Sequence, residues 1–336
     1  MLASLVIGAL ALQLGGPRAS LRGHGPYKRV SVHMAAADSA VAIITGGSGG
    51  IGLATAHKLA ARGCDIVIAY GSDEGRAAAA CAELESEHGV RAVAVKGDLT
   101  EPSAMEDTVS RVFAEVDSLG GEVSAFVHAA GYFHERLLEH HLNGNVPNFT
   151  VYDEYSTIYP KAFVAFTEGA VERMRDGNGR IVAITNPGAA PPLFPICRTP
   201  FPPYVRNYFS LSVFFGGCNT LQIPRVGYDM PGQAKATMEW LVRVYALRLA
   251  SRRLCVNAVS PGYTDTKEWD KARMAMGRGD MEAGAKVLDE RVLSRSPMKR
   301  WAQPEEIAQT IGFLCSEQSG LITGAFIPVD GGLHLA

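Results

Sequence analysis

A glycine-rich segment follows the first strand-like run of the chain and has the composition of a phosphate-binding turn. Val41-Ala-Ile-Ile-Thr45 is followed by Gly46-Gly-Ser-Gly-Gly-Ile-Gly52 and then by residues of helical composition at 53–62. Glycines let the backbone turn sharply and approach a pyrophosphate, whose charge is attracted to the N-terminus of the next helix. An isolated glycine cluster can also be a flexible turn. Because this cluster stands between a strand and a helix, we favour dinucleotide binding.

Short apolar strands alternate with helices over the rest of the chain. Further strands are predicted at 65–69, 92–96, 124–128, 180–184, 254–259 and 325–329, and further helices at 75–88, 105–118, 157–174, 232–251 and 304–317. Alternating strands and helices form βαβ units, whose parallel sheet is covered on both faces. The sequence therefore predicts an α/β fold, a Rossmann-type doubly wound parallel sheet in three layers, as one domain over residues 39–336.

The overall composition excludes several classes of protein. Of the 336 residues 47% are hydrophobic, which supports a large core and excludes disorder for most of the chain. The net charge of −2 offers no basic excess for a nucleic-acid backbone, so nucleic-acid binding is not predicted. The six cysteines include no C-x-x-C pair, which argues against a disulfide scaffold or a zinc site.

Histidines cluster once in the sequence, at His134, His140 and His141. The segment departs from the zinc motif H-E-x-x-H because Leu138 takes the place of the second histidine. We interpret it as a solvated face, and the sequence predicts no metal site.

Residues 1–38 are predicted to be a targeting leader that is removed. Residues 2–14 are apolar but too short to span a bilayer, which needs about 20 apolar residues. Basic residues follow without any acid before Asp38; they are Arg18, Arg22, Lys28 and Arg29. This two-part pattern resembles the leader of proteins sent to a plastid through the secretory route. The alternatives are a plain secretory signal, a mitochondrial presequence or a disordered tail. We expect no membrane span in the mature chain.

Further motifs follow the Thr-Gly-x-x-x-Gly-x-Gly spacing of Thr45 to Gly52. They are Asp98-Leu-Thr100, His128-Ala-Ala-Gly131, Val256-Asn-Ala-Val-Ser-Pro-Gly-Tyr-Thr-Asp-Thr266 and Thr323-Gly-Ala-Phe-Ile-Pro-Val-Asp-Gly-Gly332. In type and order they resemble the motifs of the short-chain dehydrogenase/reductase family, with His128-Ala129 where the family has Asn-Asn. The resemblance covers residues 40–335. It implies an NAD(P)-dependent oxidoreductase.

The resemblance also implies which residues contact the cofactor. They are Thr45, Gly46, Ser48, Gly50, Ile51, Gly52, Tyr70, Ser72, Asp98, Leu99, Ala129, Ala130, Gly131, Lys235, Pro261, Gly262, Thr264 and Thr266. Asp98 matches the acid that contacts adenine, and Thr266 is placed for the nicotinamide carboxamide. No acid stands at Tyr70, where it would bind the ribose 2′-hydroxyl of NAD and repel a 2′-phosphate. With Ser72 and Arg76 nearby, the sequence favours NADP over NAD.

Tyr228 and Lys235 are the predicted acid–base pair. The family usually has Tyr-x3-Lys, in which the lysine lowers the pKa of the tyrosine and holds the nicotinamide ribose. Here Pro231 occupies that tyrosine position, and Tyr228 lies seven residues before Lys235. Both share a face if the helix starts early, since seven residues make about two turns. This Tyr-x6-Lys spacing resembles the branch containing the enoyl-acyl-carrier-protein reductases. The alternative is a loop tyrosine and an ordinary surface lysine.

Two more catalytic positions differ from the family pattern. Asn186 falls where the family has its serine and can donate a hydrogen bond to a carbonyl oxygen. Tyr159 falls near the position where the family has a helix asparagine that relays protons. Many enoyl reductases also have an aromatic residue near the position of Cys218 or Asn219, and this chain has none at either position. The sequence thus leaves open whether a carbonyl or a conjugated C=C of an acyl-type substrate is reduced. The alternative function is a non-catalytic dinucleotide-binding protein, a redox sensor or assembly partner.

Residues 189–217 are interpreted as an insertion. Asn186 and Tyr228 are 42 positions apart, and removing these 29 residues restores the family spacing of about 13. The segment is either a loop that covers substrate or docks a partner, or a retained intron. We favour the intron or a disordered loop, because structureless loops beyond about 15 residues are uncommon in compact domains.

The resemblance further implies a homodimer or homotetramer, built through the helices predicted at 157–174 and 232–251. It also implies a substrate-binding flap within residues 266–293, for which a plain surface helix is the alternative.

Overall fold

The computed structural model of the chain describes residues 40–131, 149–186 and 229–335. Its strands are β1 (Val41–Thr45), β2 (Asp65–Tyr70), β3 (Ala92–Lys96), β4 (Val123–His128), β5 (Arg180–Ile184), β6 (Cys255–Pro261) and β7 (Phe326–Val329). They form one sheet of order β3-β2-β1-β4-β5-β6-β7, in which all neighbours are parallel. The strand order reverses between β1 and β4, and α/β sheets bind ligands in the crevice at such a reversal.

Helices cover both faces of the sheet. They are α1 (Gly50–Ala60), α2 (Glu74–His88), α3 (Pro102–Ser118), α4 (Phe149–Ser156), α5 (Ala162–Arg173), α6 (Asp229–Leu249), α7 (Asp270–Met276), α8 (Met281–Arg295) and α9 (Pro304–Leu314). Buried side chains of α3, α5 and α6 pack in one core cluster, and those of α1, α2 and α9 pack in a second. The helices on one face, the sheet, and the helices on the other face form the three layers that the sequence predicts.

Strand β5 shows how the sequence builds both cores. Ile181 and Ala183 belong to the core of α3, α5 and α6, whereas Val182 and Ile184 belong to the opposite core. Successive strand residues point to opposite faces, so a strand covered on both sides needs a continuous apolar run. All five residues of β5 are buried.

The helix predicted at 157–174 differs most from the structure. A helix begins at Phe149 and continues as a π-helical turn, Thr157–Lys161, before α5. Pro160 lies inside this turn, and the Ala162 N–H donates to the carbonyl of Thr157, five residues back. Proline has no N–H to donate, so it disturbs the regular helical hydrogen bonds and favours such a bulge.

Other boundaries shift by a few residues. The helix predicted at 304–317 ends at Leu314, and the one predicted at 232–251 already begins at Asp229. Several predictions fall outside the described residues: the leader at 1–38, the histidine cluster at 134–141, the insertion at 189–217, and Tyr228. Within the described ranges, no helix combines the length and apolar character needed to cross a bilayer.

Candidate active site

A cleft of about 1400 Å³ lies at the carboxyl ends of β1, β2, β4, β5 and β6. All of the predicted cofactor residues line it except Thr45 and Thr264. Both exceptions are buried: Thr45 takes part in a hydrogen-bond network below the cleft, and Thr264 donates from Oγ1 to the Gly262 carbonyl. Their predicted contact with the cofactor stays a prediction, and the structure shows both hydroxyls in hydrogen bonds within the protein.

The glycine-rich turn forms the cradle that a pyrophosphate needs. Gly46 and Gly50 have φ values of +69° and +51°, which glycine adopts without steric cost. A Cβ on Gly52 would lie 2.2 Å from the Gly46 carbonyl oxygen, so only glycine permits this packing of turn and helix. Among the described residues, no side chain caps α1 at Gly49, which leaves its first N–H groups for a ligand. These features fit a bound dinucleotide.

The cationic side chain of Arg76, on α2, lies beside the glycine-rich turn. The Arg76 guanidinium lies 3.4 Å from the point where a Cβ on Gly49 would be, so the arginine faces the glycine-rich turn. Its Nε is buried and makes no hydrogen bond within the described part of the chain; the nearest acid, Asp73, is 3.8 Å away. A guanidinium with an unused donor beside an anion cradle fits a phosphate group.

His128 anchors the cleft floor. It is fully buried, and its Nε2–H donates to the Ile158 carbonyl at 3.0 Å. Its Nδ1 therefore accepts from the Thr45 hydroxyl at 2.9 Å, while Thr45 Oγ1 accepts from the Ala130 N–H at 3.2 Å. Burial, and secondarily the charge of Lys235, lower the pKa of His128 to about 3. The ring is neutral and ties β1, β4 and the π-helical turn together.

Lys235 brings a buried amine into the cleft. Its Nζ donates to the Ile184 carbonyl at 2.7 Å and lies 3.8 Å from the centre of the Tyr159 ring. Burial lowers the pKa of Lys235 to about 7, an effect that the nearby Glu239 opposes. Glu239, one turn further along α6, accepts a hydrogen bond from the Thr185 hydroxyl. The interpretation of Lys235 as an ordinary surface lysine is therefore wrong.

Asn186 and Tyr159 complete the described part of the reaction site. Asn186 lines the cleft, and its buried Oδ1 has no hydrogen-bond partner in the described ranges. The Tyr159 hydroxyl lies 3.0 Å from the point where a Cβ on Gly131 would be. Helix α6 begins at the residue after Tyr228, which is the early start that the Tyr-x6-Lys spacing requires. The side chain of Tyr228 itself lies outside the described residues.

Comparisons with known proteins match this arrangement over most of the chain. The family model described as short chain dehydrogenase matches residues 40–193, and the one described as Enoyl-(Acyl carrier protein) reductase matches residues 220–334. An acetoacetyl-CoA reductase of Rhizobium meliloti is 30% identical over 89% of this chain and 100% of its own. The chain belongs to the short-chain dehydrogenase/reductase family. It is an NAD(P)-dependent oxidoreductase, as the sequence predicts.

Two further members of the family show its range. A 1-cyclohexenylcarbonyl-CoA reductase of Streptomyces collinus is 30% identical and aligns over 88% of this chain and 87% of its own. The crystal structure of L-sorbose reductase from Gluconobacter frateurii, complexed with NADPH and L-sorbose, has a TM-score of 0.68 and 25% identity, over 89% of this chain and 98% of that chain. The fold is thus common to family members with different substrates.

One end of the cleft is formed by residues that the family resemblance places in a flap. Residues 267–269 form a 3₁₀ turn before α7, and Trp269 and Ala272 line the cleft. Trp269 packs edge-on against Trp301, with ring centres 5.5 Å apart. The interpretation of 266–293 as a plain surface helix therefore does not hold for its first turns.

Sequence reasoning did not find the contacts around Lys235. The sequence marks Tyr159 only as a substitute for the family asparagine, and no motif includes Glu239. The i,i+4 spacing of Lys235 and Glu239 was the available signal, because an acid one helical turn away lies on the same face. The contact between Lys235 and Tyr159 depends on the π-helical turn, which the sequence did not predict.

Proposed function

We propose that this short-chain enzyme is an NADP(H)-dependent reductase of acyl thioesters. The hydride would be accepted at the carbon β to the thioester carbonyl, either in a 3-oxoacyl group or in a conjugated 2-enoyl group. The observation that carries the proposal is the buried Lys235 amine, held on the Ile184 carbonyl beside Asn186 and two turns into the helix that follows Tyr228. A buried amine next to these two residues supports an acid–base role for Lys235 in the cleft.

The residues of the chain have separate roles in this reaction. When bound, the reduced nicotinamide supplies the hydride. Tyr228 donates the proton to the developing oxyanion, or stabilises it as an enolate, and Lys235 in its protonated form favours the ionised phenol that remains. Asn186 donates its amide N–H to the same oxygen. In the enoyl case, the proton is added at the α-carbon after the enolate has formed.

The preference for a thioester substrate rests on the substrates of two relatives. Acetoacetyl-CoA is a 3-oxoacyl thioester, and the 1-cyclohexenylcarbonyl group has its double bond next to the thioester carbonyl. Both substrates accept hydride at the β-carbon. Identity of 30% supports this substrate class and does not select between the two bond types.

The preference for NADP rests on Arg76 and Ser72. Both line the cleft beyond β2, and Arg76 has an unused buried Nε. The absence of an acid at Tyr70 removes the group that would repel a 2′-phosphate. The L-sorbose reductase structure contains NADPH, which agrees with this preference.

A turnover assay tests the proposal. The full chain is mixed with NADPH or NADH and with acetoacetyl-CoA, crotonyl-CoA or L-sorbose, and loss of reduced cofactor is followed together with product mass. We expect turnover of at least one thioester with NADPH and none of L-sorbose. Lys235→Met serves as the inactive control. Tight NADPH binding without turnover of any thioester would contradict the proposal and favour the non-catalytic alternative.

Two further expectations concern the cell and the assembly. We propose that residues 1–38 direct the chain to a plastid, which a fusion of this segment to a fluorescent protein tests.

We also propose that two copies associate through α6, because Trp240, Val244 and Leu247 form an exposed apolar stripe at helical spacing, with Leu247 82% exposed. A Leu247→Glu variant that keeps the wild-type mass in solution would contradict this association.

A further inference from the structure

A cluster of ligating side chains lies where α1 and α2 pack together, and two of its members, His57 and Glu87, also line the cleft. His57 is on α1, and Glu87 and His88 are at the end of α2. Their ligand atoms lie within 4.8 Å of one another. His57 and His88 are largely sheltered, with side chains 22% and 19% exposed, whereas Glu87 is 55% exposed. The proposed reduction uses none of these three residues.

The three ligand atoms form a triangle of the size that a zinc ion requires. His57 Nδ1 is 3.1 Å from His88 Nε2 and 3.4 Å from Glu87 Oε2, and the last two atoms are 3.9 Å apart. A point equidistant from all three atoms lies about 2.0 Å from each, which is the usual length of Zn–N and Zn–O bonds. The contact between His57 and His88 is a hydrogen bond, so the proton between the two rings has to move to the other nitrogen of its own ring before both nitrogens can bind an ion.

A further carboxylate stands behind the triangle. Glu83 Oε1 is 3.6 Å from His57 Nε2, slightly beyond hydrogen-bond distance, so a small rotation of either side chain would let this second ring nitrogen donate to the carboxylate. Metal-binding histidines commonly donate this second N–H to a carboxylate, which sets the tautomer and leaves the other nitrogen free to bind. Glu83 precedes Glu87 by four residues on α2, so both point to the same side of the helix.

We propose that His57, Glu87 and His88 bind one Zn²⁺ ion and that Glu83 orients His57. Two imidazoles and one carboxylate suit zinc rather than magnesium or calcium, which prefer oxygen ligands. Water completes the coordination on the exposed side of Glu87. The ion links α1, which begins at the phosphate-binding turn, to α2, which carries Arg76. The site was not found from the sequence because 31 positions separate the two histidines.

Zinc titration of the full chain tests the site. After removal of metal with a chelator, calorimetry should show one Zn²⁺ bound per chain, and Co²⁺ should give visible bands of a nitrogen and oxygen site without thiolate bands. His57→Gln and His88→Gln should each abolish this binding. Glu83→Gln should weaken it by about 10- to 100-fold, as expected for a group that orients a ligand. Glu106→Gln, an exposed carboxylate on α3, is the matched control and should bind as wild type.

Other histidines of the chain need a separate control. A variant with His134, His140 and His141 all changed to Gln should retain the zinc affinity of the wild type. Zinc should raise the melting temperature of the wild type and of this triple variant, but not that of His88→Gln. The proposal is overturned if wild type binds zinc only at millimolar concentration, if His57→Gln and His88→Gln bind as tightly as wild type, or if the triple variant loses binding. Failure of the reductase assay would leave these results unaffected.

Discussion

The His128→Asn substitution tests the buried hydrogen-bond network under the cleft, because it should change how the free energy of unfolding depends on pH. In the folded chain the pKa of His128 is lowered from 6.5 to about 3, mainly by burial. In the unfolded chain the imidazole is in water and takes up a proton near pH 6.5. Between these two values the unfolded chain binds a proton that the folded chain does not. The free energy of unfolding therefore falls as pH is lowered through this window.

The size of the effect follows from these two pKa values. At about pH 5, protonation of the unfolded chain should remove about 2 kcal/mol of stability, against less than about 0.1 kcal/mol at pH 7.5. Asparagine does not titrate, so His128→Asn should lack this loss. The variant should also be less stable at pH 7.5, because asparagine is too short to bridge Thr45 and the Ile158 carbonyl.

Urea unfolding followed by tryptophan fluorescence, at both pH values and with a chelator present, measures the effect. Lys235, with its pKa near 7, titrates in both proteins, so the difference between wild type and variant isolates His128. We expect wild type to lose about 2 kcal/mol more than His128→Asn between the two pH values. Equal losses in wild type and His128→Asn would refute the account of a neutral buried imidazole.

Four further substitutions test the site. Tyr228→Phe should lower kcat by about 10²- to 10⁴-fold and leave NADPH affinity nearly intact, because only the proton donor is removed; single-turnover kinetics and cofactor titration check this, and an unchanged kcat would exclude Tyr228 as the donor. Lys235→Ala should lose both rate and cofactor affinity, and loss of rate alone would argue against a contact with the ribose. Arg76→Ala should raise the KM for NADPH by about 10-fold or more and change that for NADH little, since a charged hydrogen bond contributes about 1.5–3 kcal/mol; equal changes would place the 2′-phosphate elsewhere. Gly52→Ala should abolish dinucleotide binding or destabilise the fold by about 1–3 kcal/mol, because the new Cβ would meet the Gly46 carbonyl, and a variant that binds and unfolds as wild type would contradict the described turn.

The sequence by itself determined the fold class and the position of the phosphate-binding turn. Both depend on local information: apolar runs set the strands, and glycines at fixed spacing between strand and helix set the turn. Most of the residues that the family motifs mark for the cofactor line the cleft. Thr45 and Thr264 do not line it, because a sequence motif does not distinguish a residue at the surface of a cleft from one buried beside it. The leader, the insertion and the role of Tyr228 stay predictions.

Only the tertiary structure decided which polar groups become partners. His128 and Thr45 are 83 residues apart, and Lys235 meets the Ile184 carbonyl across 51 residues. The contact of Lys235 with the Tyr159 ring depends on a π-helical turn at Pro160, and that of His57 with His88 depends on how α1 packs on α2. Periodicity and motif spacing report on one element at a time. Burial and pairing across elements, which shift the pKa of His128 and Lys235, arise only when the sheet and helices pack together.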